Sequence, residues 1–146
     1  MAVELREIDV KNFWHVIQLN VCEGQQGFVA PNVRSIAECV VYPYLVPNAI
    51  YSGEDLVGFA LYGRDPENSS YWIVRLMIAA AYQGKGLGKA ATFALIAKMK
   101  TLPECSEIFL SFVPANAGAE ALYRTVGFEP TGETDDSGEI IMRYVI

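Results

Sequence analysis

Residues 82–91 read YQGKGLGKAA, and the fold turns on how this stretch is read. Gly84, Gly86 and Gly88 alternate with Lys85 and Leu87, and Lys89-Ala90-Ala91 opens a helix-prone run. A glycine turn entering a helix presents successive N–H groups to a phosphate, and the helix dipole adds favourable partial charge. Three kinds of site begin this way. The Walker A pattern GxxxxGK(S/T) finds its Gly88-Lys89 here, but Gln83 stands at the first glycine and Ala90 replaces the Mg²⁺-binding hydroxyl. That reading fails. The dinucleotide pattern GxGxxA fits Gly86 to Ala91, yet the turn lies past mid-chain and leaves too few residues for further βαβ units. The next strand also lacks an acid at its end for a ribose, since Glu107 falls at its start. The third option is a Gln83-x-x-Gly86-x-Gly88 turn whose backbone donors from Gln83 to Lys89 grip a diphosphate, with Lys85 and Lys89 adding screening charge.

Working outward, Tyr71–Ile78 upstream of the turn is rich in β-branched and aromatic residues and reads as a long strand. Ala49–Ser52 and Leu56–Tyr62, joined by Gly-Glu-Asp, predict a β-hairpin, and Val3–Ile8 alternates as a first strand. A short amphipathic helix covers Phe13–Val21. A second, capped by Asn32 or Ser35, runs to about Tyr42 and is closed by Pro43 and Pro47. Downstream come a helix to about Lys100, a strand over Glu107–Val113, a helix over Asn116–Val126 and two terminal strands. The order predicts a mixed, largely antiparallel sheet with helices on both faces.

The chain has 146 residues, 52% of them hydrophobic, which predicts a single folded domain over 1–146. The charged N-terminus MAVELREIDVKNFW argues against a secretory signal, and no apolar run is long enough for a bilayer. Cys22, Cys39 and Cys105 form no CxxC pair, so neither disulfides nor a metal site are expected and a cytoplasmic setting fits. A net charge of −6 disfavours nucleic acid as a partner and mildly favours a cationic ligand. His15, the lone histidine, reads as a surface or packing residue of the first helix.

The Gln83-x-x-Gly86-x-Gly88 turn after RLMIAAAY resembles the acyl-CoA-binding motif of the GNAT N-acetyltransferase superfamily. NAGAEALYRTVGF (116–128) is similar to its second signature, N-x-x-A-x-x-L-Y-x-x-x-G-F. The resemblance implies an α/β (α+β) GNAT-like acyl-CoA N-acyltransferase fold, with a mixed, mostly antiparallel seven-stranded sheet and about four helices on both faces. It implies acetyl-CoA as co-substrate, bound by Leu76, Met77 and Ile78, by the turn from Gln83 through Gly84, Lys85, Gly86, Leu87 and Gly88 to Lys89, and by Asn116. Tyr123 would be the general acid that protonates the departing thiolate after an amine attacks the thioester. Asn116 and Tyr123, seven residues apart, share a helix face.

QGFVAPNVRSIAE, AIYSGEDLVGFALYG, YWIVRLMI, YQGKGLGKAA and the C-terminal TGE…GEI together look like bacterial spermine/spermidine N-acetyltransferases. The implied reaction is acetyl transfer to a polyamine in a ternary complex, with a homodimer possible by analogy. Other amines (an aminoglycoside, a peptide N-terminus, a lysine) and a non-catalytic acyl-CoA-binding module are the alternatives. The chain departs from those relatives at Ala79, where an acidic residue is expected after Met77-Ile78. Glu23 is therefore the candidate base, Glu23 and Glu139 are candidate ammonium partners, and Tyr71 and Trp72, with Tyr42 and Tyr44, are candidate aromatic walls.

Overall fold

The computed structural model of the chain describes residues 2–146. Seven strands join one sheet in the order β1-β2-β3-β4-β5-β7-β6. Along the chain these are β1 (Glu4–Arg6), α1 (Phe13–Gln18), α2 (Asn32–Val41), β2 (Leu45–Ser52), β3 (Asp55–Arg64), β4 (Tyr71–Ile78), α3 (Leu87–Met99), β5 (Glu107–Phe112), α4 (Ala117–Val126), β6 (Glu129–Thr134) and β7 (Ile140–Val145). Every neighbouring pair is antiparallel except β4 and β5. The predicted fold class and element order are those observed.

Several boundaries differ for identifiable reasons. Neither Asn32 nor Ser35 caps α2, because Pro31 occupies the N-cap and both polar residues are buried inside the helix. Asn32 instead donates from Nδ2 to the Val16 carbonyl at 2.9 Å, tying α2 to α1. Pro47 does not close a helix but lies within β2, opposite Leu61. The β2–β3 hairpin is longer than its apolar runs, because main-chain pairing continues from Leu45↔Gly63 to Ser52↔Asp55. β1 and α1 are shorter than their sequence patterns.

The core lies on both faces of the sheet. Val57 to Gly63 of β3 is buried throughout, as expected of a central strand covered on two sides. On one face Ile50, Ala60, Tyr62 and Ile73 pack with Leu95, Ile96 and Met99 of α3 and Tyr123 and Val126 of α4. On the other, Ala49, Phe59, Leu61 and Met77 meet Val16 of α1 and Ile36 of α2. Phe59 is 1% exposed, and burying such a side chain stabilises by roughly 1.5–3 kcal/mol. Gly58 is where β3 and β4 press together, since a Cβ there would stand 2.3 Å from the Met77 carbonyl oxygen. Among the described residues no helix is long and apolar enough to cross a membrane.

Two irregularities of β4 prepare the site. Leu61 pairs with Arg75 but Tyr62 pairs with Ile73, so Val74 is an extra residue, a β-bulge. The bulge exchanges the faces: Tyr71 and Ile73 point to the α3 and α4 side, and so do Leu76 and Ile78, while Arg75 and Met77 turn toward α2. Beyond the bulge β4 also parts from β5. The parallel pairing consists of Tyr71↔Ile108 and Trp72↔Phe109, and the rest of β4 has no ladder partner on that side.

Candidate active site

The parting of β4 and β5 opens a cleft of about 1090 Å³, just above the roughly 300–1,000 Å³ usual for ligand sites. The cleft reaches both faces of the sheet. Its walls include Gly84, Gly86 and Lys89 from the glycine turn and Tyr123 from α4, and also the loop around Phe28 and Arg34 on the α2 side.

The turn between β4 and α3 is built to present N–H groups. Gly86 is the N-cap of α3 with φ of 80°, and Gly84 has φ of 76°, both in the left-handed region that glycine adopts without cost. Nothing lies within 4 Å of a Cβ built at either position, so these glycines are required by backbone conformation rather than by crowding. Gly88 differs: its Cβ position is 3.4 Å from Leu122, where α3 packs on α4. The first helical hydrogen bond runs from the Ala90 amide to the Gly86 carbonyl. The amides of residues 84 to 89 have no acceptor among the described residues, which leaves six consecutive donors at the mouth of a helix. That donor set fits a diphosphate. Lys85 lies over the Tyr82 ring at 5.6 Å, outside the cleft wall.

Gln83 has a different task. Its Nε2 donates to the Ile78 carbonyl and to Gln25 Oε1, both at 2.8 Å, so the side chain braces the turn rather than facing a ligand. Leu76, Met77 and Ile78 line the cleft with their unpaired strand edge, an arrangement to which an extended amide chain can add as a strand would.

Tyr123 is 9% exposed and sits between Phe112 and Phe128, with ring centroids 6.5 and 5.8 Å away. Burial pushes its hydroxyl up to about 12, so the phenol keeps its proton throughout the neutral range. Asn116 caps α4, accepting from the Ala119 amide at 3.1 Å through Oδ1, and its Nδ2 has no acceptor among the described residues. Tyr123 and Asn116 line the same cleft as the donor turn.

The candidate amine-binding residues divide. Glu139 is on the cleft wall, its Oε1 accepting from Ser111 Oγ at 3.0 Å. Glu23 is exposed on a single turn of 3₁₀ helix (Glu23–Gln25), and it is the neighbouring Gln25 that reaches the wall. Tyr71 is buried on the α3 side, with its hydroxyl donating to the Pro103 carbonyl at 2.7 Å, away from the cleft. Trp72 stacks against Phe109 at 5.3 Å and lines a smaller cavity beside the cleft, which Tyr42 and Tyr44 also line.

Sequence reasoning missed Asp135. Its Oδ1 accepts from the amides of Ser137 and Glu139, each at 2.9 Å, and from Ser137 Oγ at 2.7 Å. Burial raises its carboxyl, but these hydrogen bonds together with Ser111 hold it net below the usual carboxylate value. Asp135-Asp136-Ser137-Gly138 carries the signature of a tight turn, and nothing in that signature marks the turn as part of a cleft.

The chain is 34% identical over 148 residues to the spermine/spermidine N(1)-acetyltransferase of Bacillus subtilis (strain 168), which covers 97% of each protein. Its fold matches an aminoglycoside acetyltransferase, AAC(6′)-Ib, solved with coenzyme A, at a TM-score of 0.82 and 19% identity over 99% of this chain and 95% of that one. It also matches the spermidine N-acetyltransferase of Vibrio cholerae, solved with CoA and spermine, at a TM-score of 0.77 and 16% identity over 98% and 95% of the two chains. Residues 10–128 match the acetyltransferase (GNAT) family, so a cleft with a helix-capped donor turn on one wall and a buried phenol on another belongs to a chain that is a member of that family.

Proposed function

We propose that the protein transfers an acetyl group from acetyl-CoA to a primary amine of a polyamine of the spermine or spermidine class, by direct attack within a ternary complex. The observation that carries this is the single cleft through the parted strands. It joins the donor turn and Tyr123 on the α3 and α4 side to a carboxylate-bearing wall reached from the α2 side. Two substrates entering from opposite faces meet at β4. The full-length similarity to a spermine/spermidine acetyltransferase supports the polyamine as acceptor.

Acetyl-CoA supplies the acyl group as a thioester. The amides of residues 84 to 89 hold its diphosphate, and the free edge of β4 at Leu76–Ile78 pairs with its amide-bearing arm. β4 main-chain N–H groups also stabilise the charge that develops on the acyl oxygen. Tyr123 presents its proton to the departing sulfur. Burial holds the phenol proton more tightly than a thiolate in water could draw it off. The same burial raises the basicity of the sulfur, so donation becomes effective where the bound substrates exclude water from the cleft.

The attacking amine, with an ordinary pKa near 10, arrives as an ammonium and must lose a proton. Glu139 is the assigned base: one oxygen is oriented by Ser111, and the other has no donor among the described residues. Asp135, held ionised, is the fixed counter-charge beside it. Glu23, exposed and off the cleft wall, acts at most through water.

Release of CoA thiol, followed across spermine, spermidine, an aminoglycoside, a lysine peptide and a peptide N-terminus, tests the reading. Spermine and spermidine are expected to give the highest kcat/KM. Preference for an amine without a second positive charge discards the polyamine. CoA release at the background rate with every amine discards catalysis in favour of a binding module.

A further inference from the structure

A smaller cavity of about 290 Å³ opens beside the cleft, and the two share Ile73, Val74, Ser111 and Asp135 as a common wall. Three aromatic rings stand among its other lining residues. Tyr42 and Tyr44, with ring centroids 6.1 Å apart, come from the segment between α2 and β2, and Trp72 comes from β4. Gly63 of β3 lets that segment lie flat, since a Cβ there would stand 2.6 Å from the Tyr44 carbonyl oxygen.

Three carboxylates line this cavity, and they are not equivalent. Glu38 is engaged by Arg75, with Arg34 at 3.9 Å, so its charge is already answered. Asp65 and Asp135 pair with no basic side chain among the described residues. Each is fixed by its own turn through Oδ1, Asp65 accepting from the Glu67 amide at 2.9 Å and Asp135 from the amides of Ser137 and Glu139. The second oxygen of Asp65 has no donor among the described residues, while Asp135 is also reached by the Ser111 hydroxyl. The Tyr44 hydroxyl is pushed up by burial and, after that, by its neighbours Asp65, Tyr42, Glu67 and Glu38.

Two carboxylates without a basic partner, on a cavity that three aromatic rings also line, make a site for an organic cation carrying methylene groups. β4 runs past both cavities, with Trp72–Val74 at the smaller one and Leu76–Ile78 at the acyl end of the cleft. Their centres, Ile73 and Met77, are four residues apart, at most about 13 Å along a strand that bulges at Val74. We infer that this side cavity receives the distal ammonium end of the acceptor, with Asp65 and Asp135 as its counter-charges and Tyr42, Tyr44 and Trp72 as its walls. The inference rests on the polyamine reading above and adds a length requirement to it. A monoamine reacts in the cleft without reaching the side cavity, whereas a polyamine engages both.

The test compares spermine with propylamine in the wild type and in Asp65→Asn and Tyr44→Ala, by CoA thiol release at saturating acetyl-CoA. The spermine-to-propylamine ratio of kcat/KM is expected to fall tenfold or more in both variants. Tyr44→Phe, which keeps the ring, is expected to hold the ratio near that of the wild type. An unchanged ratio in Asp65→Asn, a near-isosteric change that leaves the turn geometry available, overturns the subsite. Equal losses for both amines overturn it too. A wild type that acetylates propylamine and spermine alike overturns the subsite but leaves the acetyltransferase intact, whereas one that acetylates other amines but no polyamine removes the polyamine reading and the subsite with it.

Discussion

The Gln83 side-chain amide donates to the main-chain oxygen of Ile78 at 2.8 Å, locking the residue that precedes the donor turn to the last residue of β4. The same nitrogen reaches Gln25 Oε1, and Cys22 Sγ lies 3.3 Å from Gln83 Oε1, so one side chain ties together three walls of the cleft. Gln83→Ala should raise the KM for acetyl-CoA several-fold while lowering stability by only about 1 kcal/mol, the net worth of such hydrogen bonds. Steady-state kinetics beside urea melts check it. A large loss of stability with unchanged KM would show that the brace serves the fold and not the turn.

Tyr123→Phe removes the hydroxyl proposed as the proton donor and leaves the ring in place between Phe112 and Phe128. The expected result is a fall in kcat of about 10²-fold or more, typical of losing a general acid, with little change in acetyl-CoA affinity. Single-turnover kinetics and calorimetric binding measure the two quantities separately. A variant that retains wild-type kcat would remove Tyr123 from the chemistry.

The same phenol sets an alkaline limit on stability. Its value in the fold, about 12, stands above the 10.0 of an unperturbed phenol. The neutral form is therefore favoured in the native state, and this contribution is complete below about pH 10 and lost as pH rises toward about 12. Wild type should lose up to roughly 3 kcal/mol relative to Tyr123→Phe across that interval, at about 1.4 kcal/mol per unit. Denaturant melts of both proteins at stepped pH read the difference, and parallel curves would contradict it.

Gly86 and Gly88 should fail in different ways. Gly86→Val forces a branched side chain into a left-handed conformation at φ of 80°, costing about 1–3 kcal/mol and disordering the donors. Gly88→Val presses on Leu122 and disturbs the packing of α3 against α4. Calorimetry should find CoA affinity reduced at least tenfold in Gly86→Val, and unchanged affinity there would argue against the donor turn as the diphosphate site.

Arg75 and Glu38 form an ion pair between β4 and α2, with side chains 16% and 26% exposed. Arg75→Met leaves Glu38 with only the distant, exposed Arg34, and should cost about 1–2 kcal/mol after allowance for partial solvent screening. A thermal melt checks it, and a Tm equal to wild type would show the pair to be neutral.

Much of this was legible in the chain because local chemistry dictated it. Residues 82–91 can hardly be anything but a glycine turn entering a helix, and the strand at Tyr71–Ile78 and the helix behind Asn116 follow from composition and spacing alone. Their joint placement around one cleft followed from the family resemblance. Elsewhere local signals misled. Asn32 and Ser35 look like caps but are buried in α2, because tertiary contacts to α1 outweigh capping preference.

What the sequence determined by itself is therefore the order of elements and the donor turn, since each rests on contacts within a few residues. The tertiary structure decided which carboxylates face the cleft. Glu23 and Glu139 are equal as letters, but a turn exposes the first, while the pairing of β5 with β7 brings the second against Ser111. Asp135 and the side cavity depend on the bulge at Val74 and on the register of strands far apart in the chain. Long-range pairing fixes where such side chains point, and no local pattern encodes it.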